Sequence, residues 1–160
     1  MRNRIIKQDQ GLDAADLFRS ARDHASAACA LAKSAPHHLD SAGYLAHISV
    51  ELALKAWLLH NDGYFRAIHS LESLYIELQE RHNAPLLQAE VAYLFSELDK
   101  YSELRYPNRN SPTEVGQSEV ADLPLLLNFI HAHYPVDLRE AIERIDPLIK
   151  GGRVLMRKKS

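Results

Sequence analysis

Cysteine is nearly absent from this 160-residue sequence, and long apolar runs are absent altogether. Cys29 stands alone, which excludes a disulfide within the chain and is typical of a reducing compartment. Apolar stretches such as 123–127 are far shorter than the roughly 20 residues that a membrane-spanning helix needs. No apolar segment follows the basic start MRNRIIK, so we expect no secretory leader. These absences predict a cytoplasmic protein that does not enter a membrane.

The charged residues are unevenly distributed, although the net charge is only −2. Three basic residues lie in residues 1–7 and five in residues 150–160, whereas all 21 acidic residues lie between these ends. The body of the chain therefore repels a polyanion on average and can attract one only through a local patch. We predict one helical domain over residues 1–149 and a basic, flexible tail over residues 150–160.

Helical periodicity runs through nearly the whole sequence, and no run alternates at every second residue as a half-buried strand does. Asp13 is predicted as the N-cap of a first helix, whose alanines recur at three- and four-residue steps until Pro36 ends it. A second helix is predicted from Asp40 to His60, with Gly63 as its C-terminal stop. Residues 105–118 contain several turn-forming residues and are predicted as a loop.

Four further helices are predicted. They are a short helix carrying Leu71, Leu74, Tyr75 and Leu78, one that begins at Pro85, one that begins at Asp122, and a last one with Asp137 and Glu140 as a capping box. Together the segments predict an all-α fold, an up-and-down bundle of four long helices plus one or two short helices.

Three polar residues interrupt the otherwise apolar second helix, in the segment HISVELALKAWLL. His47, Glu51 and Lys55 stand four residues apart and therefore share an arc of roughly 80° on the helix. One interpretation is a solvated stripe with a surface ion pair, and periodicity alone favours it. The other is a stripe that faces a groove, where an unpaired charge would cost several kcal/mol.

The segments HISVELALKAWLLHNDG, FRAIHSLESLY and LDKYSELRYP resemble the HEPN family of small all-α domains, which is named for higher eukaryotes, prokaryotes and nucleotide binding. The resemblance depends on the pair Glu51 and Lys55, on His69 shortly before Leu71, and on the Arg-Tyr-Pro at 105–107. It covers about residues 40–110. It implies a helical bundle that is often dimeric, a role in nucleotide or RNA metabolism, and sometimes a nucleotidyltransferase partner.

Many HEPN proteins are metal-independent ribonucleases with an Arg followed four to six residues later by a His. The sequence departs from that pattern, because Arg105 and Arg109 have no His within this spacing. Only Arg19 and His24 match it, and chance alone gives about two such pairs in a chain of this composition. We therefore predict a divergent member without the usual catalytic pair.

Five residues form the predicted binding site for a nucleotide or another phosphate. The site consists of Lys55, Arg105 and Tyr106, with Glu51 and His69 as supports. If the fourth helix ends near the second, an ammonium and a guanidinium can hold a phosphate while the Tyr ring stacks on a base. The alternative is that Glu51 pairs with Lys55 or Arg105 and only ties the helices together.

Metal and cofactor chemistry is not indicated. The nine histidines include no pair at i and i+4, and no Glu-x-x-His motif occurs on two helices. We predict no metal, no cofactor and no catalytic residue.

Three functions are consistent with the sequence. The leading hypothesis is a non-catalytic nucleotide- or RNA-associated binding module that forms a homodimer and can partner a nucleotidyltransferase. The alternatives are a HEPN-type ribonuclease with an atypical catalytic pair and a purely structural partner subunit.

Overall fold

The computed structural model of the protein describes residues 4–145. The predicted basic tail at 150–160 lies outside the described residues, as do residues 1–3 and 146–149 of the predicted domain. The described part is a bundle of α-helices with one two-stranded sheet at its edge, which confirms the predicted all-α fold.

Seven α-helices and two strands lie within residues 4–145. The helices are α1 (Ala14–Ser34), α2 (Leu39–Asp62), α3 (Leu71–His82), α4 (Ala89–Lys100), α5 (Gln117–Ala121), α6 (Leu123–His133) and α7 (Val136–Ile145). The strands β1 (Ile5–Lys7) and β2 (Tyr64–Arg66) pair in antiparallel register, and Ile6 lies opposite Phe65. Three residues are too short to show strand alternation, so the sequence does not predict this sheet.

Helices α1 and α2 form the centre of the bundle and are joined by a short 3₁₀ turn at Pro36–His38. Such a short connection makes the two helices antiparallel neighbours. Their contact is built largely from buried alanines, which are Ala21, Ala25, Ala28 and Ala32 on α1 and Ala42, Ala46 and Ala53 on α2. The Ser49 hydroxyl, also buried, donates a hydrogen bond of 2.7 Å to the carbonyl oxygen of Ala21. Small side chains thus bring the two backbones close together.

Two predicted helix ends are confirmed by their capping geometry. The Asp13 carboxylate accepts hydrogen bonds from the backbone N–H groups of Ala15 and Asp16, at 2.9 and 3.2 Å, and so caps α1. Gly63 follows α2 with φ 75°, in the left-handed conformation, and its N–H bonds to the carbonyl of Leu59.

The predicted starts of two other helices are wrong. Helix α4 begins at Ala89 and not at Pro85, whose carbonyl accepts a 2.6 Å hydrogen bond from the Tyr75 hydroxyl and is thereby held outside the helix. Helix α7 begins at Val136, and the Pro135 carbonyl accepts the first intrahelical hydrogen bond. The Asp137 carboxylate lies 3.0 Å from His60 and bonds to the next N–H along the chain, so the predicted capping box does not form.

The predicted loop after α4 packs against the N-terminal half of α2. A 3₁₀ helix at Tyr101–Arg105 continues α4, and the loop ends at Gly116, whose N–H donates to the Tyr101 hydroxyl at 2.9 Å. Gly43 faces this loop, because a Cβ atom added there would lie 2.6 Å from a methyl group of Val115. The loop is thereby placed beside α2, and α5 occupies part of the segment predicted as loop.

Candidate functional site

The polar stripe on α2 is buried. His47, Glu51 and Lys55 are exposed by only 0%, 7% and 6%, because strand β2, helix α3 and the 3₁₀ helix after α4 cover this side of α2. The solvated-stripe interpretation is therefore wrong. Burying these groups requires that each charge find a partner inside the bundle.

Lys55 finds its partners next to its own helix. Its Nζ atom lies 2.6 Å from Oε1 of Glu51, one helical turn away. The same ammonium lies 5.3 Å from the centre of the Phe65 ring on β2, within the range of a cation–π interaction. The charge of Lys55 is thus neutralised inside the protein.

Glu51 also reaches the residue just before α3. Both of its carboxylate oxygens lie 3.2 Å from Nδ1 of His69. Since a carboxylate only accepts, this contact requires a proton on Nδ1 and leaves Nε2 as the nitrogen available for other chemistry. The buried carboxylate therefore sets the orientation and the tautomer of a His whose side chain is about half exposed.

Arg105 lies at the end of the 3₁₀ helix, next to His69. One of its terminal nitrogens lies 3.4 Å from Nδ1 of His69, and its guanidinium carbon lies 5.8 Å from the centre of the Tyr44 ring on α2. Arg105 is exposed. Within residues 4–145 it forms no ion pair with a carboxylate, so its charge faces solvent between two rings.

His47 lies behind these residues and is shielded from water. Its ring nitrogens lie 3.7 Å from a Glu51 oxygen and 3.9 Å from an Asp99 oxygen, too far for hydrogen bonds. Burial lowers the pKa of His47 below its usual value of 6.5, and the two carboxylates only partly oppose that effect. The ring is therefore neutral at neutral pH.

Asp99 is the residue of this region that sequence reasoning misses. Its carboxylate accepts the N–H groups of Leu71 and Glu72, at 2.8 and 3.3 Å, and so caps α3 from the end of α4. Ser70 adds a local cap of 3.1 Å to the N–H of Ser73. A cap supplied from 28 residues away leaves no local sequence signal, although it places the turn that carries His69.

Four of the five predicted site residues thus form one contiguous series, which runs Lys55, Glu51, His69 and Arg105. Tyr106 follows at the surface with 79% of its area exposed. Within the described residues its side chain makes no hydrogen bond and no ring contact with the series. The two predicted cations are joined only through Glu51 and His69, and the alternative ion pair of Glu51 with Lys55 is present.

Two cavities open beside Arg105 and His69. The larger, of about 510 Å³, lies between the start of α2 and the loop after α4, and its lining includes Tyr44, Glu103 and Arg109. The other, of about 380 Å³, is a shallow depression lined by His69, Asp99 and other residues at the start of α3 and the end of α4. The site therefore consists of a buried ionic support and an open surface at its outer end.

The pair with ribonuclease-like spacing lies elsewhere, on α1. The Arg19 guanidinium lies 3.8 Å from Asp16, and Nδ1 of His24 bonds to the Ser20 carbonyl at 2.7 Å. Both side chains are engaged with their own helix. Among residues 4–145, no group of three His, Cys, Asp or Glu side chains is arranged to hold a metal ion.

The all-α fold agrees with the comparison with known families. The family model described as HEPN domain matches residues 14–144, which is most of the chain. The chain belongs to the HEPN family. No curated protein matches it. Within the described part of the chain, no helix has both the length and the apolar character needed to cross a bilayer.

Proposed function

We propose that this HEPN domain is a non-catalytic, cytoplasmic module that binds a phosphate of a nucleotide or of single-stranded RNA at Arg105. One observation carries the proposal: the exposed Arg105 guanidinium lies between His69 and the Tyr44 ring and has no carboxylate partner within residues 4–145. A guanidinium offers several donors in a fixed plane, which suits a phosphate group. Family membership supports a role connected with nucleotides or RNA.

The sequence hypothesis makes both Lys55 and Arg105 phosphate ligands, whereas we propose different roles for the two residues. Lys55 is buried against Glu51 and Phe65, so it acts as a support and not as a phosphate ligand. Glu51 in turn orients His69. The groups that can touch a ligand are Arg105, His69 and the exposed Tyr106.

The charges around the larger cavity limit the size of the anion. Asp40 and Glu103 line that cavity together with Arg109. Among the lining residues, two carboxylates therefore stand against one guanidinium. Such a balance favours a ligand with one or two phosphates near Arg105 and disfavours a long polyanion lying across the cavity.

Binding can be tested with fluorescently labelled single-stranded RNA and with nucleoside monophosphates, over a series of salt concentrations. We expect Arg105→Gln to weaken binding about tenfold, as loss of a charge-assisted hydrogen bond implies. The same change should reduce the salt slope of RNA binding by about 0.7, the contribution of one phosphate contact. Arg144→Gln, at an exposed arginine on α7, is the matched control. Undetectable binding, or equal effects of the two variants, would contradict the proposal and favour a purely structural subunit.

A second candidate function is metal-independent RNA cleavage, and the geometry of His69 favours it. A carboxylate fixes the His69 tautomer, Nε2 remains available as a general base, and Arg105 lies close enough to stabilise charge on a phosphate. This pair comes from residues 36 positions apart, so it does not follow the family spacing. Cleavage of RNA in the presence of EDTA that is lost in His69→Ala and retained in His24→Ala would replace the first function by this one.

We also propose that the domain acts as a homodimer and associates with a nucleotidyltransferase-type protein, as its family membership suggests. Exposed apolar side chains such as Ile76 and Leu86 near the α3–α4 junction are available for a protein contact. Sedimentation at micromolar concentration should give the mass of two chains, and a single-chain mass at all concentrations would contradict the homodimer.

A further inference from the structure

A groove with an apolar floor lies between α4, α5 and α6, on a different part of the surface from Arg105. It has a volume of about 730 Å³. Tyr93 and Leu125 project into solvent at its sides, with 59% and 64% of their areas exposed, and Phe129 contributes to its floor. Exposed apolar side chains gathered around one depression are typical of a surface that binds another segment.

Three carboxylates line the same groove, and we call it the acidic groove. They belong to Glu90, Glu119 and Asp122. Glu119 accepts hydrogen bonds from the hydroxyls of Tyr93 and Ser118, at 3.2 and 3.0 Å. No Lys or Arg lines the acidic groove, and none of the three carboxylates forms an ion pair within residues 4–145. The occupant of such a surface should be both basic and partly apolar.

The sequence contains one segment with these properties outside the described residues. Residues 150–160 read KGGRVLMRKKS, with five cations, no acid and an apolar triplet at 154–156. Ile145, the last described residue, belongs to α7. The Glu143 carboxylate near that end of α7 favours a higher pKa of His131 on α6, against the lowering by burial. Val154 is nine positions beyond Ile145, and an extended chain of that length reaches about 30 Å. A domain of this size has a radius of gyration of about 15 Å, so such a length of chain spans much of its surface.

We propose that the acidic groove binds residues 150–160 of the same molecule. The apolar triplet contacts Leu125, Tyr93 and Phe129, and the flanking Lys and Arg side chains pair with Glu90, Glu119 and Asp122. Tethering raises the effective concentration of the segment, so individually weak surface contacts suffice. The proposal is independent of the function of Arg105.

The first test places a nitroxide at position 160 and observes its effect by NMR. The label is attached through Ser160→Cys in a Cys29→Ala background, on ¹⁵N-labelled protein. We expect the amide signals of Tyr93, Leu125 and Phe129 to broaden more than those of Ile76 on α3. Uniform broadening, or broadening centred on another surface, would overturn the proposal.

A mixed sample separates the same molecule from a second copy. It combines ¹⁵N-labelled protein without the nitroxide and unlabelled protein that carries it. We expect no selective broadening at the acidic groove in this sample. Broadening there would mean that the occupant comes from another copy and would overturn binding within one molecule.

The charge contribution is tested by the paired substitution Glu90→Gln and Asp122→Asn, which keeps the shape of the groove. Loss of two exposed ion pairs should reduce the ratio of bound to free segment about fivefold. The matched control, Asp23→Asn with Glu80→Gln, removes two exposed acids elsewhere and should leave the ratio unchanged. Equal effects of both pairs would exclude a specific groove. A second measurement is hydrogen exchange of residues 150–160, in chains that keep Cys29 and Ser160. The exchange should accelerate only in the groove variant.

Discussion

Glu51 stands at the centre of the buried charges, because it contacts Lys55 on its own helix and His69 before α3. A buried ion pair is weak evidence for stability, since the cost of dehydrating both charges offsets much of their attraction. Removing one partner has a larger effect, because the other charge is then left buried and unpaired. The pair is therefore best understood as the support that orients His69.

At the scale of this pair, we predict that Glu51→Leu destabilises the protein by about 3–5 kcal/mol. The reason is that Lys55 loses its carboxylate while it remains buried. The double variant Glu51→Leu with Lys55→Met removes both charges and should recover most of the loss. Urea unfolding of the three variants and the parent measures this. A double variant as unstable as Glu51→Leu would show that the stability depends on shape and not on charge.

The sequence predicts which residues share the stripe on α2 but not whether the stripe is covered. Four-residue spacing establishes that His47, Glu51 and Lys55 lie on one side of a helix, as observed. The cover comes from residues such as Phe65 and Asp99, which are distant in sequence. Periodicity contains no information on such contacts, so it favoured a solvated stripe that the structure shows to be buried.

Helix α2 and the loop after α4 meet closely at Gly43. A Cβ atom there would lie 2.6 and 2.9 Å from the two methyl groups of Val115 and 3.1 Å from Leu104. This contact places the loop so that it borders the cavity at Tyr44. The position of the loop therefore depends on a residue without a side chain near the start of α2, although glycine is otherwise unfavourable within a helix.

We predict that Gly43→Ala displaces the loop and destabilises the protein by about 1–3 kcal/mol, the range typical of overpacking. Val115→Ala in the same chain should relieve the clash and restore part of the stability. Thermal unfolding measures the interaction between the two positions. If the two effects simply add, the loop does not rest on Gly43 as described.

Helix existence is predictable here, while some helix boundaries are not. Asp13 and Gly63 are local signals, and both are confirmed. The starts of α4 and α7 are decided by Tyr75 and by Pro135, and the first of these acts through a contact between separate elements. The strands β1 and β2 escape prediction for the same reason, since their pairing joins residues about 60 positions apart.

At the scale of the whole molecule, buried histidines make folding depend on pH. Burial lowers the pKa of His47 and of His131, the latter also because Arg22 and Arg139 lie near. The unfolded chain therefore binds more protons than the folded one just below the usual His pKa of 6.5. This contribution to stability is fully present above that pH and is lost as the pH falls from it to the lowered pKa of the folded state.

We predict that His47→Leu makes the free energy of unfolding less dependent on pH between 5 and 7. The decrease in slope should be at most about 1.4 kcal/mol per pH unit, the value for one proton. His133→Gln, at an exposed position on α6, is the control and should change the slope less than His47→Leu does. Urea unfolding at several pH values measures both. Identical slopes for His47→Leu and the parent would mean that the pKa of His47 is the same in the folded and unfolded states, which would contradict the prediction.

The enclosure of Lys55 has a practical consequence for probing the protein. An amine-reactive reagent should modify exposed lysines such as Lys33 and Lys100 rapidly. It can reach Lys55 only when β2 and α3 separate from α2. Mass spectrometry of a labelling time course would then give the opening rate of this region from a single side chain. Glu51→Leu should accelerate modification at that position alone.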